Sequence, residues 1–388
     1  MTTRPWIRNL FARTPRTIRK DLVRLRPRLE AMEDRCVPST WTVTSTFDDI
    51  SQNSLRSTIQ VAKSGDTIEF APDINSIRLN PAYGQLILDK NLTIEGTSAH
   101  PVEISGANAE RVCAVPSGVK VTLNHLNLTG GNGWDPSNPS YNGKGGAVLN
   151  GGTLTINNCR LYRNNIFSAV GGGGIYNAGS GQLTVNNSSV SGNAVRGSSA
   201  GGGGIYNDGG TVTVSGSQVW GNRAVNGGGI YDAYGGTVTL NGCTLSSNTA
   251  TSGGGINDKD GTVTVISTIL SGNTASLNGG GVFNSGGEVT VGKGGFLSGN
   301  SASKFGGGIY TDLGTVTVSG GTLLGNTATT GGGIYDKAGT VTLSGSTLSG
   351  NKATQDGGGV FNFAGEVTVS DGSTLSGNSA STGGGIYD

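Results

Sequence analysis

Gly331–Gln355, with the sequence GGGIYDKAGTVTLSGSTLSGNKATQ, is one copy of a motif that recurs through the second half of this 388-residue chain. Its aliphatic residue after the glycines returns at intervals of 25 to 30 residues. The positions are Val148, Ile175, Ile205, Ile230, Ile256, Val282, Ile309, Ile334, Val360 and Ile386. A fixed period of this length predicts a solenoid.

Each copy has the residue pattern of short strands. In Thr340–Ser344 apolar and hydroxyl residues alternate, which indicates a strand with one buried face. Gly, Ser, Thr, Asn and Val dominate the copies and strong helix formers are scarce, so a helical repeat is excluded. The pattern predicts an all-β, right-handed parallel β-helix with three short strands per coil of about 26 residues.

Three columns of equivalent residues run down the predicted stack. The position three before the turn asparagine is always aliphatic, so we expect it to face inward: Leu161, Val190, Val219, Leu245, Leu270, Leu297, Leu323, Leu348 and Leu375. From Tyr176 onward the position after the first aliphatic residue is aromatic except at Asn257, and we expect an outer, partly exposed stack there. The next position is Asx in nearly every copy.

Composition divides the chain into three regions. Residues 1–40 contain ten Lys/Arg and four Asp/Glu, and we expect a basic, mostly disordered or helical leader or export segment. This leader has no apolar run long enough for a signal-peptide core or a membrane span. Residues 41–145 are predicted to form an N-terminal cap and irregular β-helix coils, and residues 146–388 the regular β-helix repeats.

The cap prediction rests on a short helix signal. Ser54 can cap a helix in which Leu55, Ile59 and Ala62 share one face. Such a helix would cover the open edge of the first coil. The chain stops at Gly383–Asp388, the first strand of another coil, so we also expect either a longer protein or self-association through an uncapped C-terminal rung.

Three segments resemble known families. Arg28–Ser39 resembles the leader that precedes large exported surface proteins of planctomycete-type bacteria, which implies an extracellular or cell-envelope location. Trp41–Thr44, Ser54–Ile59 and Gly65–Phe70 together resemble the opening of CSLREA-type β-helix proteins. The repeats, with Gly145-Gly146-Ala147-Val148, resemble the polymorphic outer membrane protein family, which implies an adhesin-like role.

The Asx column contains the candidate metal ligands. Asp232 and Asp258 occupy adjacent copies with Asp260 nearby, so these three could hold Ca²⁺ or serve a polysaccharide lyase or glycoside hydrolase. Most of the column is uncharged asparagine, however, and Asx residues at turns satisfy backbone N–H groups, so a structural role is the preferred interpretation. We expect no catalytic residues and no cofactor.

Cysteine and histidine give no site. Cys159 and Cys243 occupy a small-residue column three coils apart, too far for a disulfide, and are expected to be free, buried thiols. His100 and His125 have no partner at metal spacing and are expected on the surface.

The sequence therefore predicts an exported, non-enzymatic bacterial cell-surface β-helix with a structural or adhesive role. Its partners would be cell-surface polysaccharide or protein ligands and not nucleic acid. The alternative is the carbohydrate-active enzyme above. A distant third is an ice-binding solenoid, suggested by outward Thr-x-Thr pairs such as Thr262-Val263-Thr264. A solvated face of high β propensity is the preferred interpretation of these threonines.

Overall fold

A computed structural model describes residues 37–99, 101–135, 139–167, 170–197 and 201–388. Within them the chain coils into three long sheets in which every pairing is parallel and joins one coil to the next. The predicted right-handed parallel β-helix is confirmed. The expectations for the leader, including Cys36, and for His100 lie outside the described residues.

Sheet 1 contains the strands that follow the glycines. Its twelve strands, in the order of the sheet, are Leu86–Ile87, Cys113–Val115, Val148–Asn150, Ile175–Asn177, Ile205–Asp208, Ile230–Ala233, Ile256–Lys259, Val282–Ser285, Ile309–Asp312, Ile334–Lys337, Val360–Phe363 and Ile386–Tyr387.

Sheet 2 contains the strands with alternating threonines. Its thirteen strands are Thr40–Val43, Thr67–Phe70, Leu92–Glu95, Lys120–Asn124, Thr153–Asn157, Gln182–Asn186, Thr211–Ser215, Thr237–Asn241, Thr262–Ile266, Glu288–Val291, Thr315–Ser319, Thr340–Ser344 and Glu366–Ser370.

Sheet 3 contains the strands of the leucine column. Its twelve strands are Ser76–Arg78, Val102–Ser105, Leu126–Thr129, Arg160–Tyr162, Ser189–Ser191, Gln218–Trp220, Thr244–Ser246, Ile269–Ser271, Phe296–Ser298, Thr322–Leu324, Thr347–Ser349 and Thr374–Ser376.

Several coils add a fourth, shorter strand to the three that the sequence predicts. These strands form one sheet of two, Asn165–Ile166 and Ala194–Val195, and one of five, Thr249–Ser252, Thr274–Asn278, Ser301–Ala302, Thr327–Ala328 and Lys352–Ala353. They begin directly after the turn asparagine, where one apolar residue per coil turns inward and forms small clusters separate from the main core.

The N-terminal cap has the predicted form. Helix Leu55–Val61 begins after Ser54, whose side chain accepts a hydrogen bond from the backbone N–H of Ser57. Leu55, Ile59 and Ala62 are buried and belong to the same hydrophobic core as Val43 of the first sheet 2 strand. The helix therefore covers apolar side chains that the first coil would otherwise expose to water. A 3-10 turn, Pro139–Tyr141, lies in a later N-terminal coil.

One core runs the length of the stack. It extends from Val43 to Val360, and the leucine column is fully buried from Leu161 to Leu348, as predicted. In the last coil Leu375 is only partly buried. Since each coil packs only on its neighbours, the free energy of folding is a sum of coil-to-coil interfaces.

The turn asparagines form a continuous ladder inside the stack. In each of these coils the residue before the asparagine takes the left-handed backbone conformation, as Gly350 does with φ 61°. The asparagine itself keeps a negative φ. The freed side chain points inward and its Nδ2 donates to the Oδ1 of the next asparagine, at 2.9–3.0 Å in each step. The ladder is Asn164, Asn193, Asn222, Asn248, Asn273, Asn300, Asn326, Asn351 and Asn378.

The aromatic column is partly exposed at Tyr231, Phe283 and Phe361, as predicted, but four of its tyrosines are more buried than the sequence predicts. Tyr176, Tyr206, Tyr310 and Tyr335 are each at most 8% exposed, whereas Tyr387 in the last coil is 37% exposed. Neighbouring rings stack with centroids about 5 Å apart. The glycine turns of the adjacent coil cover the rings: a Cβ at Gly201 would lie 2.1 Å from an atom of the Tyr231 ring. The glycine row thus makes room for the aromatic stack.

Candidate functional site

The candidate calcium ligands occupy two different environments. Asp232 and Asp258 are register partners on adjacent sheet 1 strands, and both are fully buried. Asp260 lies exposed at the following turn, where its φ is 61°. Among the residues that the structure describes, no group of three or more His, Cys, Asp or Glu side chains is placed to hold a metal ion.

The Asx column of sheet 1 is a second hydrogen-bonded ladder. Asn150 Nδ2 donates to Asn177 Oδ1 at 2.7 Å, and Asn177 Nδ2 donates to Asn207 Oδ1 at 2.8 Å. Asn207 Nδ2 in turn donates to Asp232 Oδ1 at 2.8 Å. Glycine backbone closes the column from outside, since a Cβ at Gly261 would lie 2.5 Å from Asp232 Oδ2.

Aspartate interrupts this ladder because its Oδ2 occupies the position of the asparagine Nδ2. An ionised carboxylate oxygen accepts hydrogen bonds but does not donate them. The Oδ2 atoms of Asp232, Asp258 and Asp336 are buried and have no hydrogen-bond partner. Burial raises the pKa of Asp232 to about 7 and, together with the neighbouring Asp232 carboxyl, that of Asp258 to about 8. Burial likewise raises the pKa of Asp336 to about 6. A protonated Oδ2 would restore the missing donor.

Because of these aspartates, we expect the free energy of unfolding to fall as pH rises. The folded pKa values of Asp232 and Asp258 exceed the ordinary value of 3.8, so between about pH 4 and pH 8 the folded state holds protons that the unfolded state has lost. The stabilising contribution of the pair is complete below about pH 4 and is lost as pH rises through about 7 to 8.

The double variant Asp232→Asn/Asp258→Asn tests this expectation. We expect a higher melting temperature than the wild type at pH 8 and a shallower fall between pH 4 and pH 8, with a residual slope to which Asp336 and Glu110 contribute. Asp260→Asn, on the exposed side of the same turn, is the matched control and should change both much less, because the Asp260 charge makes only a minor contribution to the raised pKa of Asp258. Parallel pH profiles for wild type and double variant would show that these carboxyls have the same pKa in the folded and unfolded protein, which would contradict the expectation.

The N-terminal coils contain a cavity that the repeats do not predict. Its volume is about 480 Å³, and its lining includes Tyr83, Gln85, Ile87, Asp135 and Leu149. Tyr83 and Ile87 are 43% and 45% exposed at their positions in the wall. The cavity is mostly apolar, with Gln85 and Asp135 as buried polar groups.

Arg56 holds the Tyr83–Gln85 segment of the cavity wall in place. Its guanidinium forms two hydrogen bonds to the Asp48 carboxylate, at 2.7 and 2.8 Å, and donates to the carbonyl oxygens of Tyr83, Gly84 and Gln85. The same guanidinium lies 5.7 Å from the centroid of the Tyr83 ring. The three hydrogen bonds and the ring contact hold the Tyr83–Gln85 segment, and the two bonds to Asp48 hold the Arg56 side chain itself in position.

Arg111 organises the polar end of the cavity. It is fully buried, and its Nη1 donates to Gln85 Oε1 while Gln85 Nε2 donates to Asp135 Oδ2 at 2.7 Å. Burial lowers the pKa of Arg111 to about 10, which leaves it charged at neutral pH. Burial raises the pKa of neighbouring Glu110, whose Oε2 has no hydrogen-bond partner. These contacts join residues 26 to 50 positions apart, so no local sequence pattern signals them.

The other residues considered from the sequence are placed as follows. Cys159 and Cys243 are free and buried, as predicted, and burial raises the pKa of the Cys159 thiol to about 12. His125 is partly exposed, with Nδ1 2.9 Å from Glu95 Oε1.

The threonine array on sheet 2 is aligned. Thr213, Thr239, Thr264, Thr290, Thr317 and Thr342 are register partners in successive coils. The parallel column is interrupted, because Glu288 pairs with Thr262 and Glu366 with Thr340. Ice binding by this face stays a prediction.

Comparison with known proteins supports the fold. Residues 203–380 match the family model for a right-handed β-helix region. Neither a search of curated proteins nor a search of solved structures found a significant match. Of the helices in the described residues, none is both long and apolar enough to cross a membrane.

Proposed function

We propose that this right-handed β-helix repeat protein is an exported bacterial cell-surface protein with a structural or adhesive role and no catalytic activity. One observation carries the proposal: the acidic column that could have formed a lyase or hydrolase site is inside the stack. Asp232, Asp258 and Asp336 are each 0% exposed. A catalytic carboxylate must contact either the glycosidic bond or a metal at the substrate, which a side chain enclosed by glycine backbone does not do.

The architecture suits a rigid surface element. At about 4.8 Å per coil, the thirteen strands of sheet 2 span roughly 58 Å. The asparagine ladder and the leucine column continue through the coils from Leu161 to Asn378, so the interior has the same support along this part of the stack. The outward positions of the strands are mainly Thr, Ser and Asn, which present hydroxyl and amide groups to a ligand.

The cell-surface location in this proposal rests on the leader. Arg28–Ser39 carries the resemblance to exported surface proteins, and the repeats carry the resemblance to adhesins.

A combined binding and turnover assay tests the proposal. The full chain is incubated with envelope preparations of the source bacterium and with soluble acidic and neutral polysaccharides. We expect sedimentation with the envelope and no release of reducing ends or unsaturated uronates, with or without Ca²⁺. Release of either product, lost in Asp232→Asn/Asp258→Asn, would contradict the proposal and favour the carbohydrate-active alternative. Absence of envelope binding would contradict the adhesive role.

A further inference from the structure

Arginine is concentrated in one part of the solenoid. Between residues 151 and 230 the charged residues are four arginines and one aspartate, Asp208, which accepts a hydrogen bond from the Tyr176 hydroxyl. Residues 231–388 instead contain five lysines and ten acidic residues. The arginine-rich coils are therefore the cationic section of an otherwise acidic stack.

Two of these arginines flank a slot between aromatic side chains. Tyr162, Ser191 and Trp220 are register partners on three successive sheet 3 strands, at the outward-facing position. The two aromatic residues are thus separated by two coil spacings, about 10 Å, with the small Ser191 between them. The slot has a volume of about 360 Å³ and is lined by Arg160, Tyr162, Arg163, Ser191, Gly192 and Trp220.

Hydrogen bonds fix both walls of the slot. Tyr162 Oη donates to Glu103 Oε2 at 2.7 Å, and Trp220 Nε1 donates to Ser189 Oγ at 3.3 Å. Trp220 is nevertheless 45% exposed, so its ring is accessible to a ligand. The walls are oriented before any ligand arrives, which reduces the entropy lost on binding.

The arginines are available to an anion. Arg160 and Arg163 are exposed, and neither is among the ion pairs formed by the described residues. Guanidinium groups bind carboxylates through two parallel hydrogen bonds. Arg223, three residues after Trp220, and Arg196 line an adjoining depression and extend the cationic surface toward the next coils.

We propose that this slot binds an extended anionic glycan that contains uronic acid, with alternate sugar rings against Trp220 and Tyr162 and a carboxylate on Arg160 and Arg163. The inference rests on the proposed adhesive function and names its ligand class. The separation of the aromatic walls is comparable to the length of a disaccharide, so the two rings can contact alternate units of one chain. Single-stranded nucleic acid fits less well, because it uses aromatic platforms for successive bases, and here a serine separates the two rings.

Calorimetric titration of the full chain tests the slot. The probes are β-1,4-linked oligomannuronate, the matching oligomannoside that lacks the carboxylates, and an oligothymidylate. We expect the wild type to prefer the oligomannuronate, with an affinity that decreases as salt is added. Trp220→Ala should weaken this binding about tenfold, and Arg160→Gln/Arg163→Gln should remove the preference over the oligomannoside. Lys352→Gln, which removes an exposed positive charge from a distant coil, is the control and should bind as the wild type does.

Unfolding does not explain such losses, because all three changes are at outward positions and thermal melting checks each variant. Oligomannuronate binding that Trp220→Ala retains, equal affinity of the wild type for both oligosaccharides, or tighter binding of oligothymidylate would each overturn the slot assignment. Envelope binding that persists in these variants would overturn the slot alone and leave the adhesive function standing.

Discussion

Leu297→Asp is expected to abolish cooperative folding of the coils around it. Leu297 is fully buried and its strand pairs through Leu270 in the preceding coil and Leu323 in the following one. A carboxylate at this position would have no partner in an apolar column, and leaving the leucine volume unfilled adds a cavity. Together these effects cost several kcal/mol. Because coils are stabilised only by their neighbours, the loss reaches both adjacent interfaces.

Far-UV circular dichroism during thermal and urea unfolding measures this effect. Leu324→Asp is the matched control: it makes the same substitution one coil later at an outward position that is 40% exposed. We expect Leu324→Asp to unfold close to the wild type. An unchanged transition for Leu297→Asp, or an equal loss in both variants, would show that the leucine column does not carry the stability of the stack.

Asn300→Leu is expected to be nearly as damaging although it conserves side-chain size. Asn300 Nδ2 donates to the Leu270 carbonyl at 2.9 Å and to Asn326 Oδ1 at 3.0 Å. Its Oδ1 accepts from the backbone N–H and the Nδ2 of Asn273, at 3.0 and 2.9 Å. Leucine removes all four hydrogen bonds and leaves the buried backbone N–H of Asn273 unpaired, at about 1–3 kcal/mol for such a group. Asn326 Oδ1 keeps its hydrogen bond from the backbone N–H of residue 300.

Chemical denaturation of Asn300→Leu beside Asn241→Leu tests the ladder. Asn241 is exposed at the end of a sheet 2 strand, so its replacement adds the same apolar side chain without removing a buried hydrogen bond. We expect a large fall in the denaturation midpoint for Asn300→Leu and a small change for Asn241→Leu. If Asn300→Leu were as stable as the wild type, the inner ladder would contribute specificity of register rather than free energy.

The two buried ladders differ in whether they contain aspartate. Each asparagine both donates to one coil and accepts from another, which a carboxylate can do only in its protonated form. The inner ladder that contains Asn300 has asparagine at every position from Asn164 to Asn378. The sheet 1 column accepts Asp232, Asp258 and Asp336, and their raised pKa values are the consequence. We therefore expect the aspartates of the sheet 1 column, and not the inner ladder, to make the stability of the stack depend on pH.

Part of the candidate site was visible in the sequence. The 25-residue to 30-residue period placed Asp232 and Asp258 in adjacent coils, and the structure pairs them directly. Their burial and their missing partners were not predicted, because an Asx residue beside a turn can face either water or the interior. The orientation depends on the glycine row of the adjoining coils, which closes over the column.

What the sequence by itself determined is the β-helix and its inward leucine column. Periodicity and alternation are properties of the chain in order: Thr340–Ser344 alternates because a strand points successive side chains to opposite faces. The tertiary structure alone decided the burial of the aromatic stack, the Arg111–Gln85–Asp135 network and the slot between Tyr162 and Trp220. Each depends on the register between coils, which brings together side chains from separate coils, and register is set by the packing of the whole stack.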